Sequence, residues 1–371
     1  MGQCFIEGNE AAAWGAFYAG CRFFAGYPIT PATSIYSTML GLLPPAGGVV
    51  LQGEDEMASM GYCLGASMAG LKAMTATSGP GLSLYSEHIS FAIGSEIPLV
   101  IVDVQRLGPS TGSATKGADG DVMFLRWGSS GGLPVIVLAP VDVGDCFTLT
   151  MHAFNLAERF RGPVFIASNK EIGLTRESVD LGALERPAPV YRAGPTEGRP
   201  YLPFAPDPAT GVPYFLPLGH EVLARQTSST HGVDGYITTD PDEIQSFQDR
   251  LAHKILAARD EFCFYEYLEA PGARTLVTAY GVTARAAKTA FQAAADLGRP
   301  FSLLVLKTLW PAPEKVLRAK AAAADRVLVV EMNQGQFLFE VERIVRDKRI
   351  EFFGQMNGKL ITPEQILEAA K

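Results

Sequence analysis

The chain is poor in the residues that build metal centres and cross-links. Its five cysteines, Cys4, Cys21, Cys63, Cys146 and Cys263, are scattered, odd in number and never spaced as CxxC, so the sequence encodes no disulfide framework, iron–sulfur site or zinc site. Its five histidines, His88, His152, His220, His231 and His253, fall in no metal-binding spacing, and each reads as a surface or satisfied core residue. Charged residues make up only 19% of the chain, and the net charge of -8 comes with no basic cluster. That argues against a nucleic-acid partner, because phosphate binding needs concentrated Lys and Arg. Long hydrophobic runs are missing too: stretches such as 98–102 and 134–139 are far too short to cross a bilayer. The opening Met1-Gly-Gln-Cys-Phe-Ile-Glu7 lacks the basic segment and apolar core of a secretory signal, so the expected compartment is the cytoplasm.

What the chain does have is length and pattern. Its 371 residues, 47% of them apolar, suffice for two domains with full cores. Up to about Leu174, short apolar runs alternate with longer helical segments, which predicts a doubly wound α/β domain with a parallel sheet. Strands are expected at 22–26, 49–52, 71–77, 98–105, 134–139 and 163–168, the second of them buried, with helices near 9–19, 32–43, 54–69, 82–94 and 141–160. From Arg186 to about Gly235, Pro and Gly recur and helical periodicity disappears, predicting a linker or long excursion clamped on a neighbour. A helix is expected over 242–264, then a smaller α/β unit with strands near 275–281, 301–307 and 326–331. The expected division is 1–185, an extension over 186–265, and a second domain over 266–371.

Four motifs carry chemistry. In Leu51-Gln-Gly-Glu-Asp-Glu-Met57 two carboxylates, Glu54 and Glu56, stand at the mouth of a helix rich in small residues, Ala58, Gly61, Gly65, Ala66 and Ala69. Small residues let another backbone approach closely and leave little room for water, which strengthens any hydrogen bond a carboxylate makes there. Acids in a first helical turn also serve the helix dipole alone. Tyr27-Pro-Ile-Thr-Pro-Ala-Thr33 follows the first strand, at the sheet edge where open α/β proteins place ligands. Thr30 and Thr33 offer hydroxyls there, although Thr30 could simply cap a helix with Pro31 at its first position. Ser78-Gly-Pro-Gly-Leu-Ser83 occupies the equivalent place after the third strand, its glycines permitting close backbone approach, and it is not a Walker loop. Arg106 closes the fourth strand at the same edge, where it could hold a carboxylate bidentately or pair with Asp103.

As a set these motifs resemble the α subunit of the 2-oxoacid:ferredoxin oxidoreductases, the 2-oxoglutarate type above all. The carrying residues are Gly26-Tyr-Pro-Ile-Thr-Pro31, Glu54-Asp-Glu56, Thr75-Ala-Thr-Ser-Gly-Pro-Gly81, Asp103-Val-Gln-Arg106 and Gly108-Pro-Ser-Thr-Gly112, with Lys307-Thr-Leu-Trp-Pro-Ala-Pro313 and Val329-Val-Glu-Met-Asn333 in the second domain. The resemblance implies that the first domain is a pyrimidine-type thiamine-diphosphate-binding domain and the second a transketolase C-terminal-like one. In that family a glutamate with a glycine nine residues on bonds N1′ of the aminopyrimidine; Glu56 and Gly65 reproduce the spacing, whereas Glu54 would need its glycine at Cys63. Ile29 and Gly79 are implied to line the cofactor, and Thr30 and Arg106 to hold the substrate carboxylate.

The implied reaction is oxidative decarboxylation of a 2-oxoacid, with coenzyme A taking the acyl group and ferredoxin the electrons. The superfamily's diphosphate and magnesium segment, Gly-Asp-Gly followed by Asn, is absent; the nearest string, Gly117-Ala-Asp-Gly-Asp121, lacks its order. A β subunit holding diphosphate, magnesium ion and a [4Fe–4S] cluster is therefore implied, with possible γ and δ subunits and an αβ unit that pairs again. The residues after Lys116, and Trp127-Gly-Ser-Ser-Gly-Gly132, depart from the 2-oxoglutarate pattern, and Phe352-Phe-Gly-Gln-Met-Asn-Gly358 is similar to branched-chain relatives. Branched-chain, aryl and pyruvate-type substrates thus stay open beside 2-oxoglutarate. So do a non-oxidative thiamine enzyme subunit and a scaffold in which Glu56 is only a first-turn acid.

Overall fold

A computed structural model describes residues 2–195 and 200–371; Met1 and residues 196–199, which fall in the opening segment and in the expected excursion, lie outside them. Seven strands form the larger sheet in the order Thr308–Trp310, Ile136–Leu138, Pro163–Asn169, Leu99–Gln105, Ala73–Thr77, Phe23–Gly26 and Val49–Gln52. All are parallel except the first. Helices Gly8–Tyr18, Thr33–Leu42 and Val143–Phe160 pack on one face, and Glu56–Met68 and Ser86–Gly94 on the other. The central strands, buried on both faces, are mostly apolar along their whole length, as such strands must be. The doubly wound reading therefore holds, with the element ends of this domain displaced by at most three residues.

The structure differs from these expectations at four places. The Val49–Gln52 strand is not buried: it is the outermost strand, and Val49 is 42% and Leu51 38% exposed. The expected helix at 82–94 starts at Gly79 and breaks at Tyr85 into Gly79–Leu84 and Ser86–Gly94. The expected strand at 301–307 stops at Leu306 within a five-stranded sheet of order Arg349–Gly354, Arg326–Glu331, Thr275–Tyr280, Ser302–Leu306, Tyr265–Leu268. One residue later the chain crosses over, and Thr308–Trp310 pairs antiparallel with Ile136–Leu138 of the larger sheet. A third, two-stranded sheet joins Gln3–Glu7 to Arg176–Asp180; it escapes the sequence because its partners are about as far apart as the first domain is long.

The excursion clamps onto its own chain. Arg192 is buried against Glu158 (3.0 Å) and donates to the carbonyls of Ser67 (2.6 Å) and Leu71 (3.0 Å). Arg161 likewise donates to the Glu96 and Tyr214 carbonyls, at 3.1 and 3.0 Å. The helix Pro241–Leu256, where 242–264 was expected, brings Arg250 and Lys254 to the fully buried Glu96 at 2.6 and 2.7 Å. Burial alone would raise the proton affinity of Glu96, but these two cations win and hold it at about 2.

Candidate functional site

The carboxyl ends of the parallel strands gather Ile29, Thr30, Glu56, Gly79 and Arg106 on one edge of the larger sheet. Asp55, extended in backbone, caps the helix Glu56–Met68, its Oδ1 accepting from the Ala58 N–H at 2.7 Å. The cap fixes the first turn so that Glu54 points out to solvent while Glu56 turns in and is only 8% exposed. Its neighbour in space is Gly81, where a Cβ would lie 2.7 Å from the Glu56 Oε1 and collide with the Thr77 hydroxyl. Glycine there is a steric requirement of the carboxylate's seat. Among the described residues no hydrogen bond to the Glu56 carboxylate is found, and the buried Thr77 hydroxyl, which borders Gly81 as Glu56 does, has no partner by geometry. A nearly buried carboxylate is retained at such a place when something outside the chain hydrogen-bonds to it.

The Tyr27 to Thr33 turn is held from beneath by buried Asn9, whose Nδ2 donates to the Pro31 carbonyl at 2.8 Å and to Ser34 Oγ at 2.9 Å. Thr30 does not cap the next helix: that helix starts at Thr33, its cap position is Ala32, and Thr30 stays exposed, its hydroxyl free of capping duty. Ile29 is half-buried, resting on the core below the turn. Arg106, 6% exposed, does not pair with Asp103; its guanidinium donates to the Thr30 carbonyl at 2.6 Å and the Thr111 carbonyl at 2.9 Å, and its Nε has no partner. It thus joins the turn carrying Thr30 to the loop after its own strand.

Gly65 does not meet another backbone within the chain; a Cβ there would face open space. The close approach expected of the small-residue helix is therefore not intramolecular. On the same side of the helix Met57 and Tyr62 are 45% and 48% exposed.

Behind Arg106 and Gly79 runs a tract of buried acids that sequence reasoning missed. Asp103 is fully buried with neither carboxyl oxygen hydrogen-bonded, and burial, then Asp121 and Asp119, push its pKa well above the carboxylate range. Burial raises Asp119 to about 7 against a 2.7 Å hydrogen bond from Asn169, and raises Asp121 to about 6 against the charge of Arg106 and the Gly79 N–H. The tract continues into the smaller domain. Asn333 donates to the Asp119 carbonyl and to the Tyr280 hydroxyl, each at 2.8 Å, and that hydroxyl donates to Glu331 at 2.7 Å. Its signals in the sequence are Asp103, expected only as a partner of Arg106, and Gly117-Ala-Asp-Gly-Asp121, expected only as a departure from the family's motifs.

Residues 14–251 match the family described as pyruvate flavodoxin/ferredoxin oxidoreductase, thiamine diphosphate-binding, and residues 273–366 match pyruvate:ferredoxin oxidoreductase core domain II. The chain is 41% identical to the 2-oxoglutarate synthase subunit KorA of Methanothermobacter thermautotrophicus, over 98% of this chain and 97% of that one. It is 33% identical to the ketoisovalerate oxidoreductase subunit VorB of Methanothermobacter marburgensis, over 99% and 97%. Among solved structures, a 2-oxoglutarate:ferredoxin oxidoreductase from Magnetococcus marinus, with 2-oxoglutarate, coenzyme A and succinyl-CoA bound, superposes with a TM-score of 0.93 at 31% identity. It covers all of this chain, and this chain spans 65% of it.

Proposed function

Because the chain belongs to the pyruvate flavodoxin/ferredoxin oxidoreductase family, we propose that it is the α subunit of a thiamine-diphosphate-dependent, coenzyme A-acylating 2-oxoacid:ferredoxin oxidoreductase, with 2-oxoglutarate as the favoured substrate and succinyl-CoA as product. Higher identity to 2-oxoglutarate synthase subunits than to ketoisovalerate ones supports that choice of acid. The observation that carries the reading is the seat of Glu56: a buried carboxylate without an internal partner, cushioned by Gly81 at the ligand edge of the sheet.

These residues fit the pyrimidine half of the cofactor. Bound thiamine diphosphate supplies a nucleophilic carbon for the 2-oxoacid carbonyl and an electron sink for the decarboxylation. Glu56 would hydrogen-bond N1′ and hold a proton shared with it, a contact strengthened by the water-poor seat. Ile29 gives the cofactor an apolar wall and Gly79 a main chain with no side chain in the way. Arg106 and Thr30 hold the substrate carboxylate: the guanidinium is already fixed by two carbonyls, so little side-chain entropy is lost on binding.

The rest of the site comes from elsewhere. With no Gly-Asp-Gly segment in the chain, a β subunit holds the diphosphate, its magnesium ion and the [4Fe–4S] cluster that passes electrons to ferredoxin. The exposed edge strand, Met57, Tyr62 and the open flank at Gly65 give that subunit an apolar surface beside Glu56. The αβ unit pairs again, further small subunits attach to it, and the assembly works in the cytoplasm. No described helix is long and apolar enough to cross a membrane.

The test is to purify the tagged chain from its host with its partners and assay coenzyme A-dependent viologen reduction. 2-Oxoglutarate, pyruvate, 2-oxoisovalerate and phenylglyoxylate are compared. Reduction fastest with 2-oxoglutarate is expected. Preference for another acid would overturn the substrate, and no reduction by a complex with intact clusters and bound thiamine diphosphate would overturn the reaction.

A further inference from the structure

At the amino edge of the larger sheet, opposite the edge that carries Glu56 and Arg106, lies a cavity of about 310 Å³. That volume falls at the lower end of the range for small-ligand sites. Both α/β units build it. The larger contributes the helix Val122–Trp127 and the residues leading into Ile136–Leu138, and the smaller the helices Glu314–Ala321 and Leu338–Ile344. Arg259, just past the helix Pro241–Leu256, closes one side.

The polar lining is rich in donors. Arg126 is half-buried, its guanidinium stacked 3.7 Å from the centre of the Trp127 ring, and it donates one hydrogen bond, at 3.2 Å, to the Leu133 carbonyl. Among the described residues it has no carboxylate within ion-pair distance. Arg259 is half-buried too, and its guanidinium makes neither a hydrogen bond nor an ion pair among them; the adjacent acids Asp260 and Glu261 are taken by Lys315 and Arg159. Two glutamates also line the cavity, and both are already engaged: Arg343 donates to Glu340 at 3.0 and 2.8 Å and to Glu314 at 2.8 Å. In the floor lies Trp310, 2% exposed, its indole N–H without an acceptor. Three arginines against two glutamates leave the lining net positive, and each side chain left without a partner is a donor.

We propose that this cavity binds a small oxoanion, a phosphate or a carboxylate, held by Arg259 and Arg126. A guanidinium meets either group with two parallel N–H bonds, and the half-buried setting limits screening by salt. The ligand supplies the counter-charge that the two arginines lack within the chain. Because the walls belong to both α/β units, a bound anion also braces one against the other. The helices Val122–Trp127 and Leu338–Ile344 both begin at the joint where Gln336 grips Gly120 and Met123. The site is remote from Glu56, takes no part in the proposed reaction, and does not depend on it.

The experiment uses the complex purified from the host, saturated with thiamine diphosphate and coenzyme A so that their anion sites are filled. Inorganic phosphate and malonate are titrated separately by isothermal calorimetry into the native complex and into Arg259→Ala at low ionic strength, with chloride as control. Binding of at least one of the two anions is expected, at one site per chain, and Arg259→Ala should weaken it about tenfold or more, the effect of one lost charge-assisted contact. Tighter phosphate identifies a phosphoryl ligand, and tighter malonate a carboxylate. Saturating anion should also raise the melting temperature of the native complex but not of the variant. The Arg259 side chain is bonded to nothing in the described chain, so the variant is expected to keep the native melting temperature without ligand. Binding as tight in Arg259→Ala as in the native complex overturns the proposal. So does a native complex that binds neither anion better than chloride.

Discussion

Glu56 owes its position to its neighbours in sequence and its isolation to a glycine far along the chain. Asp55 caps the helix, so the next residue must turn inward, and Gly81 leaves space for the carboxylate without offering it a donor. Glu56→Gln keeps the shape and removes the charge; it is expected to lower kcat of the assembled complex by about 10²- to 10⁴-fold while leaving the melting temperature nearly unchanged, checked by steady-state assay and calorimetry side by side. Gly81→Ala puts a methyl group 2.7 Å from the Glu56 Oε1 and should cost about 1–3 kcal/mol in denaturant unfolding as well as activity. At this scale the spacing of Glu56 and Gly65 separates Glu56 from Glu54 in the bare sequence; in the structure Glu56 is buried and Glu54 exposed. The cap at Asp55 was open to the same reasoning but was passed over. Asp103, Asp119 and Asp121 were not open to it, because what makes them unusual is removal from water beside one another, a property of the packed interior.

Two elements carry loads that their sequences do not announce. The Val49–Gln52 strand reads as buried because it is apolar on both faces, yet it ends the sheet; its apolarity makes sense only with a further surface covering it. Leu51→Lys is expected to abolish co-purification of the β subunit while the isolated chain keeps its circular dichroism and melting temperature. The helix Pro241–Leu256 reads as an ordinary amphipathic helix, but Arg250 and Lys254 insert beside Glu96. Because the folded-state value of Glu96, about 2, lies below its ordinary 4.5, its ionisation stabilises the fold fully above pH 4.5, and that contribution is lost as pH falls toward 2. Glu96→Gln leaves two buried cations without their anion, and about 3–5 kcal/mol of stability should be lost at pH 7, measured by urea unfolding. On acidification from pH 4.5 the native chain should converge on the variant.

Across the whole molecule, the two α/β units are sewn together. Thr308–Trp310 leaves the smaller sheet's neighbourhood to extend the larger one, and Asn333 reaches back to the Asp119 carbonyl and the Tyr280 hydroxyl. Met123 and Gly120 are likewise tied to Gln336, at 2.7 and 2.5 Å. Units that share a strand and a buried polar joint cannot unfold independently without exposing both. Differential scanning calorimetry of the isolated chain should therefore show one cooperative transition, and Asn333→Ala should lower or split it. Two transitions in the native chain would refute the coupling.

The α/β class, the order of the parallel strands along the chain and the family are legible without coordinates, because apolar periodicity and short motifs are local and survive without the fold. So are Glu56, Thr30 and Arg106 at strand ends, which the parallel topology then brings to one edge. Three-dimensional packing alone sets which strand lies outermost, that the 186–235 excursion grips its own chain through Arg192, that Arg106 binds carbonyls instead of Asp103, and that Asp103 lies buried beside Asp119 and Asp121 with neither oxygen hydrogen-bonded. Each of these depends on which groups lie opposite one another across long stretches of chain. Burial and pairing are set there by the summed packing of both domains, which no local pattern encodes.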